Sequence, residues 1–390
     1  MKKLSYPIIF VHGMFGWGQN EGINKKAPYW GATSGSITDY LSDGDIECYA
    51  ASVGPMSSAW DQACELYAQL TGTRVDYGKA HSEKHGHKRF GRTYNKSLFE
   101  GWNEKKKIHL IGHSFGGNAS RMLTHLLTYG AAEEIEACND ASALFYGGKE
   151  DLICSVTAIC SPLDGTKAYE TASKYKLIQP LKFIAYNYAG IFGRLTLGHK
   201  FSDFHLEQFG FTDSPESKTN EPFIKTIKKL FGTKDCIAYD MYAEGSKELN
   251  KRIHISPSVY YFSYPFNAVD AEKSKPTNTD FIFLKATSSL MLHDCKKNGK
   301  PIVGNDGLVD VESAKHPSTE PFKEYDKADI KSGIWNVMPV SKGDHGTPIG
   351  LFADKNKTRS FYDNHILLLS ETEKRVQKLH FYDIIHSEVL

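Results

Sequence analysis

The sequence predicts an α/β fold, with a central, mostly parallel sheet flanked by helices. Three stretches predict it. Tyr6 to Val11 is a β-branched apolar run that breaks off into His12-Gly13-Met14-Phe15-Gly16. Ile108 to Ile111 is a second run, entering Gly112-His113-Ser114-Phe115-Gly116. It is followed at helical spacing by Ala119, Met122, Leu123, Leu126 and Leu127. Ile153 to Cys160 is a third, running into the loop Ser161-Pro162-Leu163-Asp164-Gly165-Thr166. Apolar strands that end in glycine-bearing loops and pass into amphipathic helices are the units of a parallel sheet.

The totals set bounds. A chain of 390 residues is long enough for one large α/β domain with insertions. Hydrophobic residues make up 40% and charged residues 24%, an ordinary globular mixture. A formal net charge of +1 implies no polyanionic partner such as a nucleic acid. No apolar run reaches the ~18–20 residues that span a bilayer. Met1-Lys2-Lys3 opens like a leader, but the following run is short and ends in a histidine and glycines, so it reads as the first core strand. On residues alone the protein is cytoplasmic or a mature form with an added Met. The seven cysteines form no Cys-x-x-Cys pair, and their odd count and scatter argue against a disulfide framework.

In chain order, the first strand ends in His-Gly-x, where backbone N–H groups can face a developing negative charge. Asp45 to Ser52 is a second strand, and Ser57 to Leu70 a helix with Trp60, Ala63, Cys64, Tyr67 and Ala68 on one face. Asp76 to His87 is polar and holds His81, His85 and His87, an excursion from the core sheet. Neutral imidazoles suit zinc, yet a solvated loop explains the same residues. Gly-x-Ser-x-Gly between a strand and a helix reads as a strained turn that lifts Ser114 clear of the sheet. Cys154 and Cys160 read as small hydrophobes of the third strand. Leu177 to Leu195 is apolar, aromatic and glycine-interrupted, and reads as a mobile cover over an apolar cleft or as a buried helix. Residues 212–235 are polar, with a basic helix near Phe223 to Phe231. Ser258 to Tyr264 is a strand, and Phe281 to Leu292 is ambiguous between strand and helix.

A serine hydroxyl is a poor nucleophile at neutral pH and needs a base held by a carboxylate. Asp306 sits in the tight turn Gly304-Asn305-Asp306-Gly307, and His345 lies between Asp344 and Gly346 on a loop after Trp335 to Val340. Both fit loops at strand ends. Asp164 and Asp310 compete for the acid, and His293, His316 and His380 for the base. His380 has a helical or late-strand context that favours structure, and Asp344 reads as a surface turn carboxylate.

The chain resembles the large true lipases of thermophilic bacilli and staphylococci, and more closely the related esterases of anaerobic Firmicutes. The resemblance rests on SSAWDQACELYAQL, VDYGKAH with GHKRFGRTY, HLIGHSFGGNASRML, SPLDGT, DFHLEQFGF, NDGLV and the late DHG. It implies a single α/β-hydrolase domain over 1–390, a zinc-binding insertion over 55–100 and a helical lid or cap over 165–250. By motif, Ser114 is the nucleophile, Asp306 the acid and His345 the base, with the amides of Met14 and Phe115 as the oxyanion hole. Structural zinc falls to Asp61, His81, His87 and Asp240, with His85 outside the set. Gly112 stands where the family often has alanine. Thr347 replaces a glutamate that binds calcium in the family, and Asp354 alone is thin for a calcium ion, so no family-type calcium site is expected.

The expected activity is carboxylic-ester hydrolysis through an acyl-enzyme. The substrates would be hydrophobic esters, glycerides or polyesters, at a lipid–water or polymer–water interface, and the enzyme a secreted monomer by resemblance. A thioesterase or acyltransferase on the same scaffold is the alternative. A hydrolase whose zinc activates water and a non-enzymatic binding module are further rivals.

Overall fold

The computed structural model describes residues 3–175, 204–210, 229–230, 232–270, 272–279 and 281–387. The expected cover over 177–195, and nearly all of the basic helix near 223–231, lie outside the described residues.

The central sheet is built from β1 (Ile8–Val11), β2 (Cys48–Ala51), β5 (Ile108–His113), β6 (Ile153–Ile159), β7 (Tyr260–Tyr264), β11 (Phe322–Glu324) and β12 (Trp335–Val337). Its order is β11-β12-β7-β6-β5-β1-β2. Every pairing in it is parallel. Ile9 pairs with Tyr49 on one side and Leu110 on the other, so β1 is a central strand. A hairpin of β3 (Arg74–Asp76) and β4 (Phe90–Thr93) stands apart from this sheet. Two short pairs do the same: β8 (Phe266–Asn267) with β13 (Ser341–Lys342), and β9 (Val269–Asp270) with β10 (Lys275–Pro276).

Alternation along β1 serves two cores, because successive side chains leave a strand on opposite faces. Ile9 and Val11 join the core that holds α2 (Ala59–Thr71) and α4 (Gly116–Tyr129). Ile8 and Phe10 join the other, with Tyr362, Ile366 and Leu369 of the long C-terminal helix, Lys355–Ser387. The predicted helix over 57–70 begins two residues later. Ser58 caps it, accepting from the Asp61 N–H at 3.2 Å. Gly72 closes it at φ 67°. Because α2 packs on α4, it belongs to the helical layer over the sheet, and the histidine-bearing excursion starts after Gly72. The ambiguous stretch near 281–292 is helical, Ile282–Lys297. Among the described residues no helix is long and apolar enough to cross a membrane.

Candidate active site and metal centre

The turn after β5 is strained as its sequence predicts. Ser114 has φ 55°, in the left-handed region that costs a non-glycine residue energy. The flanking glycines are forced by contact. A Cβ on Gly112 would sit 2.4 Å from the Gly116 carbonyl carbon, and one on Gly116 2.1 Å from the Val11 oxygen. Gly13 lies against the serine, since a Cβ there would be 2.6 Å from the Ser114 Cβ and 3.1 Å from its Oγ.

The acid and base loops meet at this turn. The His345 Nδ1–H donates to Asp306 Oδ2 at 2.8 Å. Asp306 Oδ1 accepts from the N–H groups of Leu308 at 2.9 Å and Val309 at 2.7 Å. The His345 N–H donates back to the Asp306 carbonyl at 2.8 Å. His113, the neighbour of Ser114, places its ring 4.8 Å from that of His345. Ser114, Asp306 and His345 are all buried.

The rival residues have other partners. Asp164 accepts from Asn250 and from the Ser318 N–H, both at 2.8 Å. Asp310 accepts from the Lys167 N–H. His316 stacks on Phe322 at 3.7 Å, His293 lies on the exposed side of the 282–297 helix, and His380 falls in the C-terminal helix.

The resemblance assigns the Met14 and Phe115 amides to an oxyanion hole, and each has a defined local setting. The Gly13 carbonyl accepts from the His12 Nδ1–H at 2.9 Å and from the Gly16 N–H at 3.0 Å. Because a trans peptide is planar, its N–H, on Met14, points the opposite way. The Phe115 amide opens α4, where the first N–H groups lack helical partners.

Two features were not read from the sequence. Cys160 packs in the apolar core as expected, but it also borders the acid. It follows β6 at φ 51°, and its thiol sits beside Asp306, where burial and that carboxylate push its pKa well up and keep it protonated. Asp344 is buried rather than a surface turn. Its Oδ1 accepts from the Gly346 and Thr347 N–H groups at 3.0 Å each, and its Oδ2 from the Thr279 hydroxyl at 2.7 Å. The Thr347 hydroxyl donates to that same carboxylate, and Asp354 Oδ1 accepts from the Lys357 N–H.

A second cluster lies at the excursion. Asp61 of α2, His81 of α3 (Lys79–His85), His87 and Asp235 bring four ligand atoms within 4.8 Å of one another. His81 Nε2 is 3.3 Å from Asp61 Oδ1 and 3.2 Å from Asp235 Oδ1, and His87 Nε2 is 3.1 Å from Asp235 Oδ2. Ligands about 2.0–2.1 Å from a tetrahedral ion lie roughly 3.3 Å apart, so these spacings fit one. Asp61 Oδ1, Asp235 Oδ2 and both Nε2 atoms are buried without a hydrogen-bond partner. Such atoms are costly unless a cation satisfies them. Glu134 fixes the approach of His81 by accepting from its N–H at 2.7 Å, and Trp60 stacks on its ring at 5.0 Å. His85 is half-buried beside His81, outside the four.

Asp240 does not join this cluster. Its Oδ2 accepts from the Ala59 N–H at 2.8 Å, at the first turn of α2, and burial pushes its carboxyl up to about 7. Asp235, five residues earlier, stands in the cluster instead. Both aspartates sit in Lys-Asp-Cys-Ile-Ala-Tyr-Asp, and periodicity does not separate a helix-end carboxylate from one in the turn before that helix.

The chain is similar to known lipases and esterases. The family model for the lipase-like C-terminal domain matches residues 4–380. Lipase 2 of Staphylococcus aureus is 32% identical over 399 residues, covering 96% of this chain and 56% of the relative. Lipase 1 of the same species is 34% identical over 350 residues, covering 86% and 49%. The chain thus spans about half the length of the curated relatives it matches. The crystal structure of Staphylococcus hyicus lipase aligns with TM-score 0.79 at 30% identity, over 95% of this chain and 97% of that one. EstA from Clostridium botulinum aligns with TM-score 0.78 at 32% identity, covering 94% and 88%.

Proposed function

Since the chain belongs to the lipase-like C-terminal domain family, we propose that it hydrolyses hydrophobic carboxylic esters through an acyl-enzyme on Ser114. The observation that carries this reading is the Asp306–His345 bond at 2.8 Å, delivered beside a serine on a strained strand-to-helix turn. Ser114 Oγ attacks the ester carbonyl, and His345 Nε2 takes its proton. Asp306 keeps the imidazole proton on Nδ1 and stabilises the imidazolium that forms. The oxyanion develops against the Met14 and Phe115 amides, worth about 3–4 kcal/mol per donor in a dry site. His345 then protonates the departing alkoxide, and water resolves the ester.

Glycerides, simple acyl esters and polyesters, met at a lipid–water or polymer–water interface, are the substrates of this reading. Asp61, His81, His87 and Asp235 would hold a zinc ion. The ion would supply a cross-link between α2, α3 and the turn before residue 237, with all its ligands drawn from protein.

The test is a paired assay of oxygen and sulfur esters with one acyl chain, alongside labelling by a serine-directed phosphonate. Oxygen-ester turnover, stoichiometric label on Ser114 and loss of both in Ser114→Ala are expected. A marked preference for the thioester would move the reading to the thioesterase alternative. Activity that survives the phosphonate but not chelation would move it to a metal hydrolase.

A further inference from the structure

We propose that Tyr29 and His113 are a positioning pair that locks the oxyanion loop to the backbone of the base, so that the two halves of the site share one geometry. The inference rests on the Ser114–His345–Asp306 reading above and goes beyond it to residues that touch neither substrate nor the transferred proton.

Three hydrogen bonds join four separate segments. The Gly13 N–H donates to the Tyr29 hydroxyl at 3.0 Å. That hydroxyl lies 2.7 Å from His113 Nδ1. His113 Nε2 lies 2.9 Å from the His345 carbonyl oxygen. The direction of every bond follows. A carbonyl only accepts, so His113 Nε2 carries a proton. Burial and the nearby His345 hold His113 well below the usual imidazole range, so the ring is neutral and its Nδ1 is a lone pair. Tyr29 accepts from Gly13 and therefore gives its single proton to that lone pair. Donors run one way along the chain, from Gly13 through Tyr29 and His113 to His345, and no site along it is left unfilled.

The arrangement is enclosed. Tyr29 and His113 are buried, with Trp30 edge-on to both rings. The Gly13 N–H held by Tyr29 immediately precedes the Gly13–Met14 peptide, whose N–H is the donor assigned to the oxyanion in the reading above. His345 is the base. The Tyr29 hydroxyl therefore does two things. It holds Gly13, and it selects the His113 tautomer that can donate to His345. Without it, His113 is free to move its proton to Nδ1, and an Nε2 lone pair would then oppose the His345 carbonyl. Asp306 and Tyr29 thus fix two different imidazoles by the same logic, one through a carboxylate and one through a hydroxyl.

The experiment compares wild type with Tyr29→Phe, His113→Gln, His113→Leu and the double variant Tyr29→Phe/His113→Leu. Turnover of a soluble short-chain ester, the rate of phosphonate labelling and Tm are measured on each. Tyr29→Phe removes one oxygen and keeps the ring packing. It should lower kcat about tenfold with KM within about twofold, short of the ~10²–10³ lost with a whole oxyanion donor. Labelling of Ser114 should slow in proportion. The double variant should be no slower than His113→Leu alone. His113→Gln, which keeps an N–H within reach of the carbonyl, should recover part of the loss. A Tyr29→Phe enzyme with unchanged kcat, whatever its Tm, or losses that multiply independently, would overturn the pair. Should His113→Leu fail to fold, Tyr29→Phe alone decides. A wild-type protein that takes no label on Ser114 overturns the triad reading and the pair together, whereas labelled wild type with unaltered Tyr29→Phe overturns the pair alone.

Discussion

Single atoms decide most of what this site can do. Asp306 spends Oδ1 on two backbone N–H groups and Oδ2 on His345, so its carboxylate is held in one orientation. Asp306→Asn keeps the shape but can present an N–H where His345 needs an acceptor, which drives the imidazole into the wrong tautomer. Steady-state kinetics should then show kcat down by about 10⁴, with an unchanged Tm. Gly13 offers a sharper steric case. Its Cβ position lies 2.6 Å from the Ser114 Cβ, while its φ lies outside the left-handed region, so an alanine meets the serine rather than backbone strain. Gly13→Ala should cut kcat at least a hundredfold and shift Tm by only a few degrees. A variant with near-normal turnover would show that the serine has room to move and that the approach is not selected for chemistry.

At the scale of elements, what was legible depended on whether the signal was local. Strand, turn and helix around Ser114 were readable because Gly112 and Gly116 answer a close approach that any such turn makes. The loops of Asp306 and His345 were readable as glycine-flanked polar turns, but their meeting is a property of sheet order, which periodicity does not encode. The 282–297 helix was ambiguous because both its apolar and polar residues are scattered around it. Asp235 was missed for a different reason. A buried carboxylate reads the same in sequence whether it faces a helix N-terminus, as Asp240 does, or a pair of imidazoles, as Asp235 does. The two roles separate in solution. Asp235→Ala should abolish stoichiometric zinc by elemental analysis and lower Tm as far as chelation of the wild type does. Asp240→Asn should keep the zinc, since its carboxylate contacts the Ala59 N–H instead. Zinc lost from Asp240→Asn and kept by Asp235→Ala would restore the motif-based assignment.

Over the whole molecule, buried histidines set how the fold meets acid. His12 lies at the end of β1, donates through Nδ1 to the Gly13 carbonyl and accepts through Nε2 from the Val53 N–H at 3.2 Å. Burial holds its pKa down to about 4. His365 of the C-terminal helix sits beside the Thr157 and Tyr264 hydroxyls and is held down to about 3, first by burial and then by the nearby His109. Both rings must stay neutral in the folded chain yet protonate near 6.5 when it unfolds. Between those limits the unfolded state binds more protons, so stability is full above about pH 6.5 and falls as the pH drops toward 4. For His12 the loss is on the order of 3 kcal/mol. Glu373 adds to the same slope lower down. It accepts from the Ser5 and Tyr6 N–H groups and pairs with His109, and these contacts outweigh burial and lower its carboxyl, so its contribution is lost only below the ordinary carboxylate range. Tm measured from pH 8 to pH 4 should therefore be level at first and then descend from about pH 6.5. His365→Gln keeps hydrogen-bonding groups between Thr157 and Tyr264 but cannot titrate, so it should descend less steeply over that window while matching its own pH 8 value at the start. A wild-type Tm that stays level down to pH 4.5, or a variant with the same slope, would mean that carboxylates rather than these imidazoles govern acid unfolding.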